Sequence, residues 1–385
     1  MRDVIERHHG TGDVGKDGQP ADYSEDNIPY QPKHHLKVNK NSVDENDYIM
    51  VLGYPGRTNR YRTAYEVENQ FTWVYPQAKA YREEIINLIH QHSEEGSEAR
   101  IKYESTLAGL ANYAKNYGSM IHSYNKGSFY TRKQALEQNL TAWLNADSKR
   151  KAQYGDSLTG LNELLKSDNK QQARDLILGY LRYSKMLTTA NNLYRLATEN
   201  EKPNIERERG YQERDLPKIK ARLNRMSRRY DETVDKAILL HFLELYAALP
   251  QSERLVEVDK AFNLTNGFNK AKQKALLDDM YANSKLADEK ARLWMLDLDL
   301  AQLDQSNDPF VKYAKAIFSV MKSIEDQDKE LVGKMQAARP ALMEAIIAYN
   351  KSLDKPVYAD ANSTLRVTYG TVGGYSPQDG LVATP

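Results

Sequence analysis

Hydrophobic positions along the chain follow two different periods, and the change between them divides the sequence. Residues 48–52 form a short apolar run that ends at the turn residues 53–56, which predicts a buried strand. From about Glu66 onward, apolar residues recur every three or four positions, as is typical of helices with one buried face. Residues 363–370 alternate and are rich in β-branched side chains, which predicts a second strand.

The helical pattern is interrupted mainly at prolines and glycines, and these positions set the predicted helix ends. After helices near 66–96 and 107–117, the predicted helical segments are 132–146, 157–165, 170–200, 215–249, 253–262, 268–305, 309–330 and 332–353. The segment 213–236 is dense with charges of both signs, which we interpret as a solvated helix face. The helices follow no fixed period, so a repeat solenoid is not expected.

The order of strand, helices and strand predicts an α+β protein in which a helical domain interrupts a β domain. We assign 67–352 to the inserted helical domain, 14–66 and 353–385 to the β domain, and 1–13 to a leader of different character. A further short strand is predicted at 35–38 and a turn at 373–377. Because so few strands cannot bury a core by themselves, we expect the chain to be truncated.

Charge and composition narrow the possible functions. The 54 basic and 53 acidic side chains give a net charge of +1 without a basic tail, so no nucleic-acid partner is predicted. No apolar stretch is long enough to span a bilayer, and the N-terminus lacks the apolar run of a signal peptide. The absence of cysteine excludes disulfides, thiol nucleophiles and cysteine-ligated metals. The 26 tyrosines suit half-buried faces and the walls of a polar cleft.

Several motifs that suggest chemistry fail in their context. Residues 10–15 match the glycine-rich dinucleotide pattern, but no strand precedes them and Pro20 follows where a helix should begin. The segment 155–157 is similar to the nucleophile segment of trypsin-like proteases, but Leu158 replaces the glycine needed there. A helix start capped by Asp156 or Ser157 is therefore the better interpretation. The histidine pairs at 8/9, 34/35 and 90/92 are spaced too closely for one helix face, so no metal site is predicted.

Three polar features remain as candidates. The loop 57–62 contains three arginines directly after a rigid turn, which suits either a site or a domain edge. An acidic cluster at 297–304, comprising Asp297, Asp299 and Asp304, is interpreted as a solvated face. Asn112 and Asn116 share one helix face, where asparagine is a poor helix former and its amide needs a use. From the residues alone, an inter-helix hydrogen bond is favoured over substrate binding.

Three segments carry a more specific signal. The first is 14–63, which includes Val-Gly-Lys-Asp-Gly-Gln-Pro-Ala at its start and Gly-Tyr-Pro-Gly at 53–56. The second is Gly-Tyr-Gln-Glu-Arg-Asp-Leu-Pro at 210–217, and the third is Leu-Arg-Val-Thr-Tyr-Gly at 365–370 with Gly-Tyr-Ser-Pro-Gln-Asp at 374–379. In this order they resemble the bacterial serine dipeptidyl-peptidases 7 and 11, and the similarity extends over nearly all of 14–379.

That resemblance implies a chymotrypsin-like double β-barrel with a large inserted helical domain that caps the active-site cleft. It implies a peptidase that removes dipeptides from free N-termini through a Ser-His-Asp triad and an acyl-enzyme, with no cofactor and no metal. The implied partners are peptides with a free N-terminus, and a homodimer of the complete enzyme is compatible with the family. The complete enzyme would be periplasmic or secreted.

The triad is where the chain departs from the family pattern. The family histidine precedes and the serine follows the part that this sequence matches, so the chain alone is expected to be inactive. The family aspartate lies in a His-Thr-Gly-Asp motif, whereas residues 9–13 carry one extra glycine, so Asp13 is either the remnant of that aspartate or a chance match. The side chain that selects acidic or apolar substrates would follow the serine.

The resemblance changes the interpretation of the helix that carries Asn112. A family residue that helps to hold the substrate amine lies on the helical domain in a segment like Leu-Ala-Asn-Tyr at 110–113. Asn112 is therefore the implied binding residue, with Asn116 as the second choice. The alternative to a peptidase fragment is a non-catalytic helical binding module whose tyrosine-rich faces serve an interface.

Overall fold

The computed structural model describes residues 31–385, and this part of the chain is mostly helical. Its strands are β1 (Tyr48–Gly53), β2 (Arg366–Thr371), β3 (Tyr375–Gln378) and β4 (Leu381–Ala383). Its helices are α1 (Ala64–Asn69), α2 (Tyr75–His92), α3 (Glu98–Lys126), α4 (Phe129–Asn145), α5 (Ser148–Tyr154), α6 (Ser157–Asp168), α7 (Gln172–Leu181), α8 (Lys185–Asn200), α9 (Leu216–Met226), α10 (Glu232–Ala247), α11 (Val256–Ala261), α12 (Lys270–Asn283), α13 (Glu289–Met295), α14 (Leu300–Asp304) and α15 (Pro309–Ser352).

The chain forms two compact units. The helical unit is Thr63–Tyr349, and the β unit combines the described residues 31–62 with Asn350–Pro385. The predicted mainly helical composition is confirmed. Within residues 31–385 the strands form two two-stranded sheets and no closed barrel.

In the β unit, the two strands predicted at opposite ends of the helical stretch pair with each other. β1 and β2 are antiparallel, with Tyr48 opposite Thr371 and Gly53 opposite Arg366. The prediction that β1 is buried is wrong, because β2 is its only neighbour in the described chain and most of its side chains remain exposed.

Two smaller predictions for the β unit are also wrong. The segment 35–38 is irregular, since nothing in the described chain pairs with it. The segment predicted as a turn at 373–377 instead enters β3, which pairs with β4. The turn between them lies later, where Gly380 has a φ of 75° that glycine adopts without strain.

After α1, the helical unit continues with an antiparallel pair, α2 and α3. The link between them contains Gly96 at a φ of 76° and Ser97, whose side chain accepts a hydrogen bond from the Arg100 N–H and so caps α3. The pair buries apolar residues such as Ile85 and Leu110 in a core that extends over α7 to α14 and the first half of α15. A smaller group of buried side chains lies on α1, α4, α6 and the second half of α15.

The predicted helix ends were inaccurate where capping residues interrupt an apolar pattern. The predicted helix 170–200 is broken before α8, because Ser184 caps a new start through its side chain. The predicted helix 215–249 is likewise broken before α10, where Asp231 accepts hydrogen bonds from two backbone amides. Conversely, the predicted break near 331 does not occur, and α15 continues through it with Pro340 in its interior.

A buried carboxylate joins three of the helices. Asp235 of α10 is fully buried and accepts hydrogen bonds from Ser184 Oγ at 2.8 Å and from the Lys185 N–H at 2.5 Å, at the start of α8. It also accepts one from the Tyr281 hydroxyl of α12 at 2.6 Å. Burial raises the pKa of Asp235 above its usual range, and these donors oppose that effect. The carboxylate thus fixes where α8 begins and how it meets α10 and α12.

A network of ion pairs connects α8 with the middle of α15. Arg195 of α8 reaches Glu325 of α15 through two nitrogens, at 2.9 and 3.3 Å, and also bonds Glu199 at 2.9 Å. Lys329 contacts Glu325 at 2.7 Å and Glu208, in the segment after α8, at 2.5 Å. Burial acts to raise the pKa of Glu325, but hydrogen bonds from Arg195 and Lys329 prevail and lower it to about 2.

Replacing the buried carboxylate should destabilise the protein strongly. Asp235→Ala is expected to lower the free energy of unfolding by about 3–4 kcal/mol, because several buried donors lose their acceptor. The measurement is urea unfolding followed by circular dichroism. Asp278→Ala is the matched control, since Asp278 accepts only partly exposed lysine ammonium groups and should cost about 1 kcal/mol or less. Equal effects of the two variants would contradict the role given to Asp235.

The ion-pair network predicts a pH dependence of stability. Because folding lowers the pKa of Glu325 from 4.5 to about 2, its contribution is complete above pH 4.5 and is lost as the pH falls towards 2. The urea midpoint of Glu325→Gln should therefore lie below that of the wild type at pH 7, and the difference should shrink by pH 3. Glu201→Gln is the control, since Glu201 is exposed and forms no ion pair within residues 31–385. A constant difference across this range would refute the assignment.

Candidate functional site

Asn112 and Asn116 lie on α3 with their side chains exposed to solvent. Neither amide makes a hydrogen bond with another residue in the described part of the chain. The inter-helix hydrogen bond that the residues alone favoured is therefore wrong. Because α3 is held by buried Leu107, Leu110 and Ala114 on another face, the amides are available to a ligand.

A layer of aromatic rings lies beside these asparagines. Tyr113 is 53% exposed and its ring centre is 6.0 Å from that of Tyr117. Tyr117 in turn stacks on Tyr75 at 4.7 Å. Tyr113 and Tyr117 thus form an aromatic face on α3, and each directly follows one of the two asparagines in the sequence.

Arg82 of α2 lies against this aromatic layer. Its guanidinium carbon is 5.3 Å from the centre of the Tyr113 ring, 4.9 Å from that of Tyr117 and 5.5 Å from that of Tyr180. These distances are within the range of cation–π attraction. Arg82 also donates a hydrogen bond to the Ala78 carbonyl at 2.8 Å and another to the Tyr180 hydroxyl. Its hydrogen bonds fix the guanidinium on the ring faces.

This arrangement decides which groups could hold an ammonium ion. Burial raises the pKa of Tyr180, with Arg82 opposing the effect, so the ring beneath Arg82 carries a neutral hydroxyl at physiological pH. The ring faces already hold one cation, and a second cation there would be repelled. The exposed amide oxygens of Asn112 and Asn116 carry no such cation, and an amide oxygen accepts hydrogen bonds from an ammonium group.

No pattern in the sequence indicated a role for Arg82. Its position beside Tyr113 depends on how α2 packs against α3, which the spacing of residues within either helix does not contain. The tyrosine spacing on α3 was the available signal, since residues four apart on a helix share a face.

The remaining candidates have other surroundings. Asp13 and the glycine pattern at 10–15 lie outside the described residues. The arginine loop 57–62 is held within the β unit, where Asp360 accepts hydrogen bonds from Thr58 Oγ1 at 2.6 Å and from the Arg60 N–H at 2.9 Å. These hydrogen bonds thus attach the loop to the segment that precedes β2.

The trypsin-like segment 155–157 is a helix start, as expected, but without the predicted capping bond. α6 begins at Ser157, and the Asp156 side chain makes no hydrogen bond to it, while the Ser157 hydroxyl is buried without a partner in the described chain. The acidic cluster is more than a solvated face: Asp299 caps α14, and Asp304 accepts a hydrogen bond from the Tyr194 hydroxyl at 2.8 Å.

The described residues contain neither a cluster of metal-ligating side chains nor a membrane-spanning helix. Histidines 34, 35, 90 and 92 are exposed, and no group of three or more metal-ligating side chains occurs in residues 31–385. Within the same range, no helix has the length and apolar character required to cross a bilayer.

Comparison with known proteins gives a consistent result. The family model described as Peptidase S46 matches residues 14–385. An Asp/Glu-specific dipeptidyl-peptidase of Shewanella putrefaciens is 38% identical over 97% of this chain and 50% of its own length. A dipeptidyl-peptidase 7 of Capnocytophaga gingivalis is 29% identical over 93% of this chain and 48% of its own length. The chain therefore spans about half the length of the curated relatives it matches.

Solved structures agree on the fold. Porphyromonas endodontalis DPP11, crystallised in complex with the dipeptide Arg-Glu, superposes with a TM-score of 0.66 at 21% identity. The superposition covers 96% of this chain and 51% of that one. At this level of identity, the similarity supports the architecture of the two units.

Proposed function

Since the chain belongs to the peptidase S46 family, we propose that it forms part of a serine dipeptidyl aminopeptidase, which releases dipeptides from the free N-termini of peptides. Relatives named as dipeptidyl-peptidases support this reaction class. In the complete enzyme, which we place in the periplasm or outside the cell, a serine would attack the scissile carbonyl and a histidine would transfer the proton. The helical unit would be the insertion of a chymotrypsin-like catalytic domain.

The observation that supports a role for the helical unit is the exposed amide of Asn112. An exopeptidase that removes two residues must recognise the α-amino group at a fixed distance from its nucleophile. We assign that recognition to the Asn112 amide oxygen, which is exposed and has no partner in the described chain. An amide oxygen accepts hydrogen bonds from an ammonium group and is less costly to desolvate than a carboxylate. Asn116 is the second choice, and for Asp13 the two alternatives, a remnant of the triad aspartate or a chance match, both stand.

Removing the Asn112 amide should weaken catalysis without unfolding the protein. In the complete enzyme that contains this chain, Asn112→Ala is expected to lower kcat/KM for dipeptidyl-methylcoumarin substrates by roughly ten- to a hundredfold. This corresponds to about 1.5–3 kcal/mol for one hydrogen bond to a charged group. Asn112→Asp should retain more activity than Asn112→Ala, since a carboxylate also accepts from ammonium.

The matched control for that experiment is Asn116→Ala, which removes a second exposed amide from the same helix face. It should reduce kcat/KM less than Asn112→Ala does, and both variants should keep the wild-type melting temperature. Full activity of Asn112→Ala, or a loss that parallels a lower melting temperature, would disprove the assignment.

The 385 residues by themselves should not hydrolyse peptides. We propose that the nucleophile and the general base belong to parts of the enzyme other than these residues, and without them only residual catalysis is expected. The purified chain should give no turnover of dipeptidyl-methylcoumarin substrates above the buffer rate. Turnover that a serine-directed phosphonate abolishes would show that the chain carries its own nucleophile.

A further inference from the structure

The helical unit contains a cavity that is separate from the Asn112 face. Its volume is about 620 Å³, and it lies between α7, α8, the segment around Tyr211 and the middle of α15. No residue of α3 lines it. Cavities of roughly 300–1,000 Å³ with mainly apolar walls and a few polar groups are typical of sites for small organic ligands.

One wall of the cavity is apolar. It is formed by side chains from α7 and from two successive turns of α15, which are Leu178, Leu181, Ile317, Phe318 and Met321. Further along α15, Gly333 contributes no side chain, which keeps that end of the cavity open. A ligand with at least one apolar side chain would gain from burial against this wall.

Other residues that line the cavity carry polar groups without a hydrogen-bond partner in the described chain. Asn191 and Asn192 line the cavity from the face of α8 that also carries Arg195, and neither amide makes a hydrogen bond within the described residues. Tyr211 also lines the cavity, and its hydroxyl makes no hydrogen bond in that part of the chain. Amide and hydroxyl groups of this kind suit the N–H and C=O groups of a peptide bond.

Most charges around the cavity are already neutralised. Arg195, Lys322 and Lys329 all contact Glu325, at distances from 2.7 to 3.2 Å for their closest atoms. Two charges of opposite sign remain, Arg182 and Asp328, and neither forms an ion pair within residues 31–385. Arg182 and Asp328 therefore suit a ligand that carries one negative and one positive charge.

The cation that acts on Asp328, Arg174, is already paired with another carboxylate. Arg174 influences Asp328 electrostatically, but its guanidinium bonds Asp175 at 2.7 Å. Burial and the adjacent Asp175 both raise the pKa of Asp328, with Arg174 opposing them. An incoming ammonium group would relieve the unfavourable proximity of Asp328 and Asp175.

From this arrangement we propose that the cavity binds a short zwitterionic peptide of about two residues. Arg182 would contact the carboxylate and Asp328 the ammonium group, with Asn191 and Asn192 on the peptide bond and one side chain on the apolar wall. In equating this ligand with the enzyme's product, the proposal rests on the proposed function, since dipeptides are what that reaction releases. The cavity would then be a product-responsive site on the helical unit.

The test is calorimetric titration of the 385-residue chain with the dipeptide Ala-Phe. Ala-Phe amide lacks the carboxylate and N-acetyl-Ala-Phe lacks the ammonium group. Each should bind about three- to tenfold more weakly than Ala-Phe, as expected for one partly exposed ion pair. Arg182→Gln should lower the affinity for Ala-Phe by a similar factor and leave the affinity for Ala-Phe amide unchanged. Asp328→Asn should also lower the affinity for Ala-Phe and leave the affinity for N-acetyl-Ala-Phe unchanged.

Controls separate this site from the one proposed for substrate. Arg209→Gln removes an exposed cation that does not line the cavity and should have no effect. Asn112→Ala should still bind Ala-Phe, whereas loss of binding there would move the ligand to the α3 face and overturn the cavity assignment. Failure of peptidase activity in the complete enzyme would overturn the proposed function but would leave this titration unchanged.

Two further results would also refute the proposal. One is that a correctly folded chain does not bind Ala-Phe at concentrations up to ~10 mM. A dissociation constant above this concentration would be too high for a specific site. The other is binding that neither Arg182→Gln nor Asp328→Asn reduces. Gly333→Phe offers an independent check, because a ring at this open position would occupy the cavity and should block Ala-Phe while the melting temperature is kept.

Discussion

The arrangement of the helical unit depends on the Asp235 carboxylate, which is buried where α8 begins. A buried charge is costly unless donors surround it, and here a serine hydroxyl, backbone amides and a tyrosine hydroxyl all converge on it. Because Ser184 also accepts from the Leu187 N–H, the same cluster caps α8. The direction of α8 therefore follows from one residue on α10.

The direction of α8 has consequences at its other end. α8 carries Arg195 to Glu325 of α15, and it carries Asn191 and Asn192 to the cavity. The middle portion of α15 is mostly exposed, and these ion pairs attach it to α8 in addition to the packing of Met321 and Ile324. Glu325 pairs with Arg195, Lys322 and Lys329. Arg182 and Asp328 line the same cavity and are left without an ion-pair partner in the described chain.

The α3 face follows a different physical logic. Its two asparagine amides carry no charge, and the Arg82 guanidinium on its rings donates hydrogen bonds to the Ala78 carbonyl and the Tyr180 hydroxyl. Such a surface presents acceptors without a full negative charge, which permits discrimination by geometry rather than by charge alone. In a family of peptidases this suits recognition of an amino terminus, and it is the basis of the function proposed above.

The sequence by itself determined the helical composition, the two strands that pair as β1 and β2, and the family, because apolar period and ordered motifs are local properties of the chain. It singled out Asn112 but favoured an inter-helix hydrogen bond that the described residues do not make, since hydrogen bonds between helices depend on packing. The breaks before α8 and α10 depend on local caps at Ser184 and Asp231, which the apolar period does not reveal. The tertiary structure alone decided the location of Arg82 on the tyrosines and the set of side chains that line the cavity. Each of these joins residues distant in sequence, and the spacing within one helix carries no information about which side chain of another helix will meet it.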